Sequence, residues 1–501
     1  MGAARPGAAT PGDRGRRRHG TRGPGRSRRG DRDEPGADLR LRHPAASGAF
    51  APGRIGLRSG RAPLPCLDRR PRGRGQGNTP LSPSTTPGPD DAPITPGPPL
   101  AVRVTPAAER AVRDGHPWVF ENSIREISRE GVSGDIAVLF DRKNRFLAVG
   151  LFDPESPIRV RILSAGSPAK VGAGLFRTRL AEALKLRRRL VDDPETTGFR
   201  ILSGEGDRVP GLVLDRYGEG LVLKCYTPAW LPWLDELRSA LDELLPSSVL
   251  AYLPSRGVSG SPATPDTLRT PVLLSGPPLD DGLEFLEGGL RYRAHPFVGH
   301  KTGFYLDQRE NRARVRELAR GLRVLNVFSY TGGFSLAAAA GGAPGVLSTD
   351  LSEPALREAE RHFELNAGLE AVRSAAHETR TGDAFEVMEA LDTAGERFGM
   401  VVVDPPSFAR EKGQEAGALR AYGKLTQLAL KLIEPGGILV QASCTARIDA
   451  ESFFLSVLNT ARSADRSLEV IAQTGHPVDH PVRHPEGEYL KCLFGRVPTA
   501  S

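Results

Sequence analysis

One segment of the chain, VVVDPPSF, combines a carboxylate with a rigid turn. An apolar run typical of a buried strand ends at Asp404, and Pro405 and Pro406 follow it. Each proline fixes its φ angle and removes an amide donor, so the turn presents mainly hydrogen-bond acceptors. Acceptors beside a carboxylate suit a flat base with amino or ring N–H groups, and Ser407 and Phe408 are placed to contact such a base. The alternative is a turn that only ends a strand.

A second candidate is Cys444, in the segment GGILVQASCTAR. It follows a predicted central strand, which would put it in the same crevice as Asp404. A cysteine nucleophile needs thiolate character, so its usual pKa of about 8.5 has to be lowered by its surroundings. Arg447 is a candidate for that effect. Cysteines are often buried and inert instead, as we expect of Cys225 and Cys492 within predicted strands.

The segment NVFSYTGGFSL indicates a ligand site at a strand-to-helix turn. Gly332 and Gly333 would let a ligand approach bare backbone at the start of a helix. The dinucleotide pattern GxGxxG is absent, which argues against a nicotinamide dehydrogenase. Asp350 and Asp383 follow the next two predicted strands, so the set favours a nucleoside cofactor without a pyrophosphate. Tight packing turns and helix caps are the structural alternative.

A polar segment, GHKTGFYLDQRENRARVRELA, precedes the first of these strands. Lys301, Asp307, Gln308 and Arg309 lie just before an amphipathic helix. We expect these residues to cover the cofactor, although ordinary capping and surface charge would also explain them.

Three histidines near the C-terminus, His476, His480 and His484, are spaced four residues apart. This spacing suggests metal ligands on one helix. A proline follows each histidine and prevents that helix, so the sequence predicts no metal site.

Alternating strands and helices must position these residues. From about residue 283 the chain reads as strand, helix, strand, with Ser352 predicted as the N-cap of the helix in SEPALREAERHFELNAG. This alternation predicts an α/β domain, residues 283–501, with a mainly parallel sheet and helices on both faces. Ligands in such sheets bind beyond the carboxyl ends of the strands, where the candidate residues concentrate.

Two smaller units are predicted ahead of this domain. Residues 101–170 have short alternating strands with Gly and Asp turns, typical of a small β-rich unit. Its Trp118 is expected in the core rather than as a platform for base stacking. Residues 171–282 combine a helix with two or three strands and predict a small α+β middle domain.

Residues 1–100 differ in composition from the rest of the 501-residue chain. They contain 18 Gly, 17 Pro and 19 Arg but only 8 acidic residues, which predicts a disordered tail. The net charge of +8 therefore belongs to the tail, because residues 101–501 hold 49 basic and 52 acidic side chains. Charge alone gives no argument that the folded part binds nucleic acid.

Composition also bears on location. No stretch approaches the ~18 apolar residues of a membrane span, and no apolar run follows the N-terminal arginines as a secretory signal would require. The four cysteines are far apart in sequence, which fits neither a disulfide framework nor a zinc cluster. We therefore expect a protein of the cytoplasm without a membrane partner.

Five motifs together, HKTGFYLDQRENR, NVFSYTGGFSL, DPPSF, SCT and DHPV…HPEGEYLK, resemble the RlmI family of ribosomal RNA 5-methylcytosine methyltransferases. The resemblance covers residues 101–497. It implies a Rossmann-like class I domain that uses S-adenosyl-L-methionine, preceded by a PUA-like β-barrel at residues 101–170, and large-subunit ribosomal RNA as the partner. By position, the residues implied to hold the methionine end of the cofactor are Phe328, Ser329, Tyr330, Thr331, Gly332 and Gly333.

The resemblance also implies chemistry. Asp350 would bind the ribose of the cofactor and Asp383 would lie near its adenine. Cys444 would attack carbon 6 of cytosine and make carbon 5 nucleophilic, which is covalent catalysis. Asp404 would hydrogen-bond the exocyclic amine and the ring nitrogen, with Pro405 and its neighbours contacting the base.

Two positions depart from the family pattern. The two-cysteine RNA cytosine methyltransferases carry a second cysteine beside the proline pair, where this chain has Ser407. The base that removes the carbon-5 proton is therefore unassigned. The third motif is SCT rather than SCS, which keeps a hydroxyl at that position.

Two other functions remain open at the level of sequence. One is a methyltransferase acting on an exocyclic amine of RNA, which would use a D-P-P loop without a cysteine; Ser407 between the prolines and Phe408 weakens that match. The other is a non-catalytic RNA-binding or ribosome-assembly factor. The sequence leaves a homodimer open and does not give the target nucleotide.

Overall fold

A computed structural model describes residues 95–409 and 411–499. The tail predicted for residues 1–100 therefore lies outside the described residues up to position 94. Helices in the described ranges are too short or too polar to cross a membrane.

The first part of the described chain forms a six-stranded sheet in the order β2-β6-β5-β4-β1-β3. Strand β1 alternates buried and exposed residues, which puts Leu100, Val102 and Val104 in the core of this part. The elements are β1 (Leu100–Val104), α1 (Pro106–Arg113), β2 (Trp118–Phe120), β3 (Ile124–Ile127), β4 (Ile136–Phe140), β5 (Phe146–Phe152) and β6 (Ile158–Ala165).

The next part is a five-stranded sheet in the order β11-β10-β9-β8-β7, with helices packed against it. Only β9 and β10 pair in parallel among its neighbouring strands. The elements are α2 (Ala173–Leu186), α3 (Arg188–Val191), β7 (Gly198–Ser203), β8 (Leu212–Tyr217), β9 (Gly220–Cys225), α4 (Leu234–Leu244), β10 (Val249–Pro254), α5 (Arg256–Ser259) and β11 (Val272–Ser275).

The last part alternates strands and helices, as the sequence predicted. A hairpin of β12 and β13 precedes a seven-stranded sheet in the order β16-β15-β14-β17-β18-β20-β19. The elements are β12 (Leu283–Glu287), β13 (Leu290–Ala294), α6 (Arg309–Leu318), β14 (Val324–Val327), α7 (Gly333–Ala340), β15 (Gly345–Asp350), α8 (Glu353–Leu365), α9 (Glu370–Ser374), β16 (Ala376–Thr381), α10 (Ala384–Thr393), β17 (Phe398–Val403), α11 (Glu415–Leu432), β18 (Ile433–Ser443), α12 (Ala450–Ser463), β19 (Glu469–Thr474) and β20 (Lys491–Arg496).

The seven-stranded sheet is mainly parallel and buried on both faces. Strands β16, β15, β14, β17 and β18 pair in parallel, and β20 joins antiparallel between β18 and β19. Along β17, Met400 and Val402 belong to one apolar cluster, and Val401 and Val403 belong to the cluster on the other face. Burial on both faces explains why this strand is an unbroken apolar run. Ser352 caps α8 through a bond from the amide of Ala355, as predicted.

One apolar cluster extends across the sheets. It joins Val222 and Val249 of the five-stranded sheet to Phe285 and Tyr292 of the hairpin and to Val402 of the seven-stranded sheet. Buried contacts therefore hold the five-stranded sheet against the C-terminal part. The domain limits from sequence, at residues 170 and 282, stay predictions.

The carboxylate of Asp479 is fully buried and connects three segments of the chain. It accepts two hydrogen bonds of 2.8 Å from the guanidinium of Arg309 and one of 3.0 Å from the amide of Arg200. Burial opposes its charge, but His480 and Arg309 hold the pKa of Asp479 well below its usual value. Asp479 and Arg309 thus form a buried ion pair.

We expect Asp479→Ala to destabilise the protein by about 3–5 kcal/mol, because it leaves the buried cation of Arg309 unpaired. Urea denaturation would measure this loss. Asp242→Asn is the matched control, since Asp242 is exposed and lies 3.9 Å from Arg238; it should change stability by less than about 0.5 kcal/mol. Equal effects of the two substitutions would contradict a structural role for Asp479.

Candidate active site

A cavity of about 350 Å³ opens at the carboxyl edge of the seven-stranded sheet. All five parallel strands contribute a residue that follows them or comes soon after: Ser329, Leu351, Gly382, Pro405 and Cys444. Further lining residues come from the segment 300–312. This edge is where open α/β sheets bind ligands.

The cavity brings together most of the residues singled out from the sequence. They are Lys301, Asp307, Gln308, Phe328, Ser329, Tyr330, Thr331, Gly333, Asp350, Asp404, Pro405, Pro406 and Cys444. The other expected site residues are not among those that line the cavity: Arg309, Gly332, Asp383, Ser407 and Phe408.

Arg309 and Asp383, which were expected to contact the cofactor, are bound to other groups of the protein. The guanidinium of Arg309 is bound to the buried Asp479 and does not line the cavity. Asp383 is the N-cap of α10, and its Oδ1 accepts from the amides of Phe385 and Glu386. Its neighbours in sequence, at positions 382 and 384, line the cavity.

The residues after the proline pair turn away from the cavity. The ring of Phe408 packs edge-on against Tyr422 with a centroid distance of 5.1 Å. The Ser407 hydroxyl lies 3.2 Å from that of Thr445. Both side chains therefore contact other residues of the protein and do not line the cavity, where contact with a base was expected of them.

The loop between β14 and α7 has an unusual backbone. Phe328, Tyr330 and Gly332 have positive φ angles of 60°, 48° and 71°. A side chain at Gly332 would meet the Cβ of Ala359 at 2.6 Å, so only glycine fits. Strained backbone of this kind is concentrated at functional sites.

Asp350 holds this loop in place. Its Oδ2 accepts from the amide of Tyr330 at 2.8 Å, and its Oδ1 accepts from the amide of Ser352 at 2.9 Å. Each carboxylate oxygen can accept a second hydrogen bond. Asp350 can therefore fix the loop and still accept bonds from ligand hydroxyls.

Several buried polar atoms among the lining residues have no protein partner. They are Ser329 Oγ, Thr331 Oγ1, Thr349 Oγ1 and Asp307 Oδ1. Buried polar groups in folded proteins are almost always hydrogen-bonded. The cavity is therefore prepared for a polar ligand, and Thr349 belongs to its polar wall although the sequence analysis missed it.

Two acids in the cavity have pKa values that are pushed apart. Burial opposes the charge of Asp307, but Lys301, whose Nζ donates to Asp307 Oδ2 at 2.7 Å, lowers its pKa below the usual range. Burial raises the pKa of Asp404 to about 7, and the negative charge of Asp307 adds to this rise. Asp404 can therefore serve as a proton donor near neutral pH, whereas Asp307 stays charged.

The thiol of Cys444 faces the proline turn. Its Sγ donates a weak hydrogen bond of 3.8 Å to the carbonyl oxygen of Pro405. Burial, followed by the charge of Asp404, raises the pKa of Cys444 to about 11, and Lys301 opposes this rise. The expectation of a lowered pKa is thus wrong for the protein alone, and Arg447, the cation suggested by the sequence, is exposed.

Lys491 binds the backbone next to Cys444, and the sequence analysis did not identify it. Its buried Nζ donates to the carbonyl oxygen of Thr445 at 2.6 Å and to that of Tyr489 at 3.1 Å. Burial lowers the pKa of Lys491 to about 8. The amine therefore fixes the backbone directly after Cys444.

No group of three or more His, Cys, Asp or Glu residues within ranges 95–409 and 411–499 is arranged to hold a metal ion.

We expect iodoacetamide to alkylate Cys444 slowly at pH 7.5, at least about tenfold more slowly than free cysteine, because little thiolate is present. The rate should rise about tenfold per pH unit until about pH 11. Peptide mapping by mass spectrometry gives the rate for each cysteine. Cys225, which is fully buried, serves as the unreactive control; a rate at Cys444 that levels off below pH 8 would contradict the raised pKa.

Two family models match the chain. Residues 233–496 match an S-adenosylmethionine-dependent methyltransferase model, and residues 102–165 match a PUA-like domain. The first match covers the seven-stranded sheet and the cavity, and the second covers nearly all of the six-stranded sheet. A PUA-like domain followed by a Rossmann-like methyltransferase fold, as expected from the sequence, is thereby confirmed.

Two proteins of similar sequence are named as ribosomal RNA methyltransferases. A "Ribosomal RNA large subunit methyltransferase" from Deinococcus radiodurans is 44% identical over 407 residues, which are 80% of this chain and 98% of that protein. A "Ribosomal RNA large subunit methyltransferase I" from Serratia proteamaculans is 34% identical over 391 residues, covering 78% of this chain and 97% of that protein.

Solved structures share the fold. A protein of Streptococcus mutans described as a SAM-dependent methyltransferase has a TM-score of 0.67 at 21% identity, covering 79% of this chain and all of that one. A second structure, described as a methyltransferase and complexed with SAH, has a TM-score of 0.67 at 22% identity, covering 80% of this chain and all of that one.

Proposed function

The chain belongs to the ribosomal RNA large subunit methyltransferase family of S-adenosylmethionine-dependent enzymes, and from this premise we propose that it methylates carbon 5 of a cytosine in large-subunit ribosomal RNA through a covalent bond to Cys444. A ribosomal RNA substrate also favours a cytoplasmic location.

S-adenosylmethionine is the cofactor of this family, and the lining of the cavity fits it. The partnerless hydroxyls of Ser329, Thr331 and Thr349 offer hydrogen bonds to its polar groups, and the open acceptor sites of Asp350 suit ribose hydroxyls. Gly333, which lines the cavity without a side chain, leaves room for the methionine end. When bound, the cofactor supplies an electrophilic methyl group on its sulfonium.

Cys444 is the proposed nucleophile. Its Sγ forms a bond to carbon 6 of the cytosine, which makes carbon 5 electron-rich. The ring nitrogen N3 takes the proton of Asp404, and the proton lost by the thiol replaces it on the carboxyl group. This exchange needs a protonated carboxyl beside a protonated thiol, and the raised pKa values of about 7 and about 11 supply both near neutral pH.

After carbon 5 has accepted the methyl group, its proton passes to water and the bond between Sγ and carbon 6 breaks. The electron pair of that bond returns to sulfur, and the proton on N3 returns through the carboxyl group of Asp404 to restore the thiol. Asp404 holds the base throughout by accepting from the exocyclic amine, and Pro405 and Pro406 keep the turn rigid.

The single observation that carries the proposal is the thiol of Cys444 facing the proline turn inside the cavity that Asp404 also lines. A methyltransferase acting on an exocyclic amine would have no need of that thiol.

The test is methylation of RNA from cells that lack the gene, with mapping of the modified base by mass spectrometry. We expect one 5-methylcytosine in large-subunit ribosomal RNA. A methyl group on an exocyclic nitrogen, or transfer to no RNA at all, would overturn the proposal.

A further inference from the structure

A second cavity, of about 460 Å³, lies beside the first. Its lining comes from three parts of the chain: the six-stranded sheet, the five-stranded sheet and the histidine–proline segment 476–489. Trp118, Arg161, Tyr226 and Val482 are among the lining residues. The volume is within the range of small-molecule sites.

One wall separates the two cavities. Tyr489 lines the second cavity and the next residue, Leu490, lines the first. The Tyr489 hydroxyl donates to Asp307 Oδ2 at 2.9 Å, and Asp307 lines the first cavity. A polymer with one unit in the first cavity therefore passes close to the second.

Six of the residues that line the second cavity have aromatic rings: Trp118, Tyr226, His476, His480, His484 and Tyr489. Trp118 and His484 are in edge-to-face contact with a centroid distance of 5.1 Å, and the same contact between His476 and Tyr489 is 4.5 Å. Tyr226, a large and partly apolar residue, is 48% exposed. Trp118 thus lines a cavity and is only half-buried, which corrects its predicted place in the core. Aromatic rings of this kind stack on unpaired bases.

The charges of the second cavity are paired. Arg200 binds Asp215 at 2.7 Å, and Arg161 lies 3.8 Å from Asp153. Two further lining carboxylates, Glu205 and Glu486, are present. A cavity with no excess of cations is poorly suited to phosphate, which needs unpaired Arg, Lys or amide groups.

His476 is neutral at physiological pH, because burial lowers its pKa to about 4. Burial also lowers the pKa values of His480 and His484. A neutral imidazole has one donor and one acceptor nitrogen, which suits the mixed edge of a nucleobase. The buried Nδ1 of His484 has no partner in the protein.

We propose that the second cavity binds an unpaired nucleobase of the RNA substrate, next to the nucleotide that enters the first cavity. The inference rests on the proposed function, because it takes an RNA substrate as given. Recognition would come from stacking on aromatic rings and from hydrogen bonds to the imidazoles that line the cavity, with Tyr489 separating the two bases.

Filling the cavity tests this proposal. Val482 lines it and is 39% exposed, so Val482→Trp can fill the space from the surface. Val478→Trp is the matched control, because Val478 lies in the same segment, is 45% exposed and does not line either cavity. The probe is large-subunit ribosomal RNA from cells that lack the gene, with S-adenosylhomocysteine present.

We expect Val482→Trp to weaken RNA binding about tenfold or more, which is the loss of one stacked base, and Val478→Trp to bind like wild type. Affinity for S-adenosylhomocysteine should be unchanged in both variants. Equal RNA affinity of the two variants would overturn the inference.

A second measurement needs no variant. Ultraviolet crosslinking of the wild-type complex, followed by mass spectrometry, should give an adduct between a base and Trp118, Tyr226 or the segment 476–489. If adducts form only at other residues, the inference is overturned. The proposed function still stands in that case, provided that the same RNA is methylated. If wild type methylates no RNA, the proposed function fails, and the inference fails with it.

Discussion

Replacing Cys444 by alanine should reduce methyl transfer to RNA by at least about a thousandfold, since loss of a catalytic nucleophile can cost about 10⁶-fold in kcat. The reason is that carbon 5 of cytosine is a poor nucleophile until sulfur adds to carbon 6. Affinity for S-adenosylmethionine should stay within about twofold of wild type, since most polar atoms offered to the cofactor belong to the 328–333 loop, Thr349 and Asp350. Radiolabelled methyl transfer and calorimetry measure the two effects.

The control for this variant is Cys225→Ala. Cys225 is a buried thiol in the five-stranded sheet, and burial raises its pKa above the usual range. Its loss should reduce stability slightly and leave activity unchanged. If Cys444→Ala retained more than about a tenth of the activity, the covalent mechanism would be wrong, and direct methylation of an exocyclic amine would become the better explanation.

Asp404→Asn should lower kcat by about 10²–10³-fold, the loss typical of removing one group that stabilises developing charge. The amide keeps the shape of the side chain but cannot give a proton to N3. The substitution also removes a negative charge that raises the pKa of Cys444. The alkylation rate of Cys444 near pH 8 should therefore increase while catalysis falls.

Asp449→Asn is the matched control for the acid. Asp449 also follows a strand of the parallel sheet, but it caps α12 and does not line the cavity. We expect a small loss of stability, of about 1 kcal/mol or less, and unchanged kcat. If Asp404→Asn lowers kcat and raises the alkylation rate of Cys444, misfolding could not easily explain both changes. An unchanged kcat in this variant would exclude Asp404 as the acid.

Much of the fold could be predicted from local sequence. The apolar run before Asp404, the Ser352 cap and the glycine turn after β14 are features of a few consecutive residues, and local backbone preferences and burial decide them. The same reasoning located the edge of the sheet where the polar residues meet. It could not tell which of two neighbours faces the cavity: Asp307 lines it, whereas Arg309, two residues on, is bound to Asp479.

The sequence by itself determined the order of strands and helices, the rigid Asp–Pro–Pro turn and the cysteine after the central strand, because each depends on residues that are adjacent in the chain. Only the tertiary structure decided the pKa values of the groups at the carboxyl edge of the sheet. The pKa of Cys444 is raised rather than lowered because burial and the charge of Asp404, forty residues away in the chain, outweigh Lys301. Folding also brings to the site three residues that are distant in sequence, Thr349, Tyr489 and Lys491. Burial strengthens the electrostatic interactions among such groups and makes an unpaired polar atom costly.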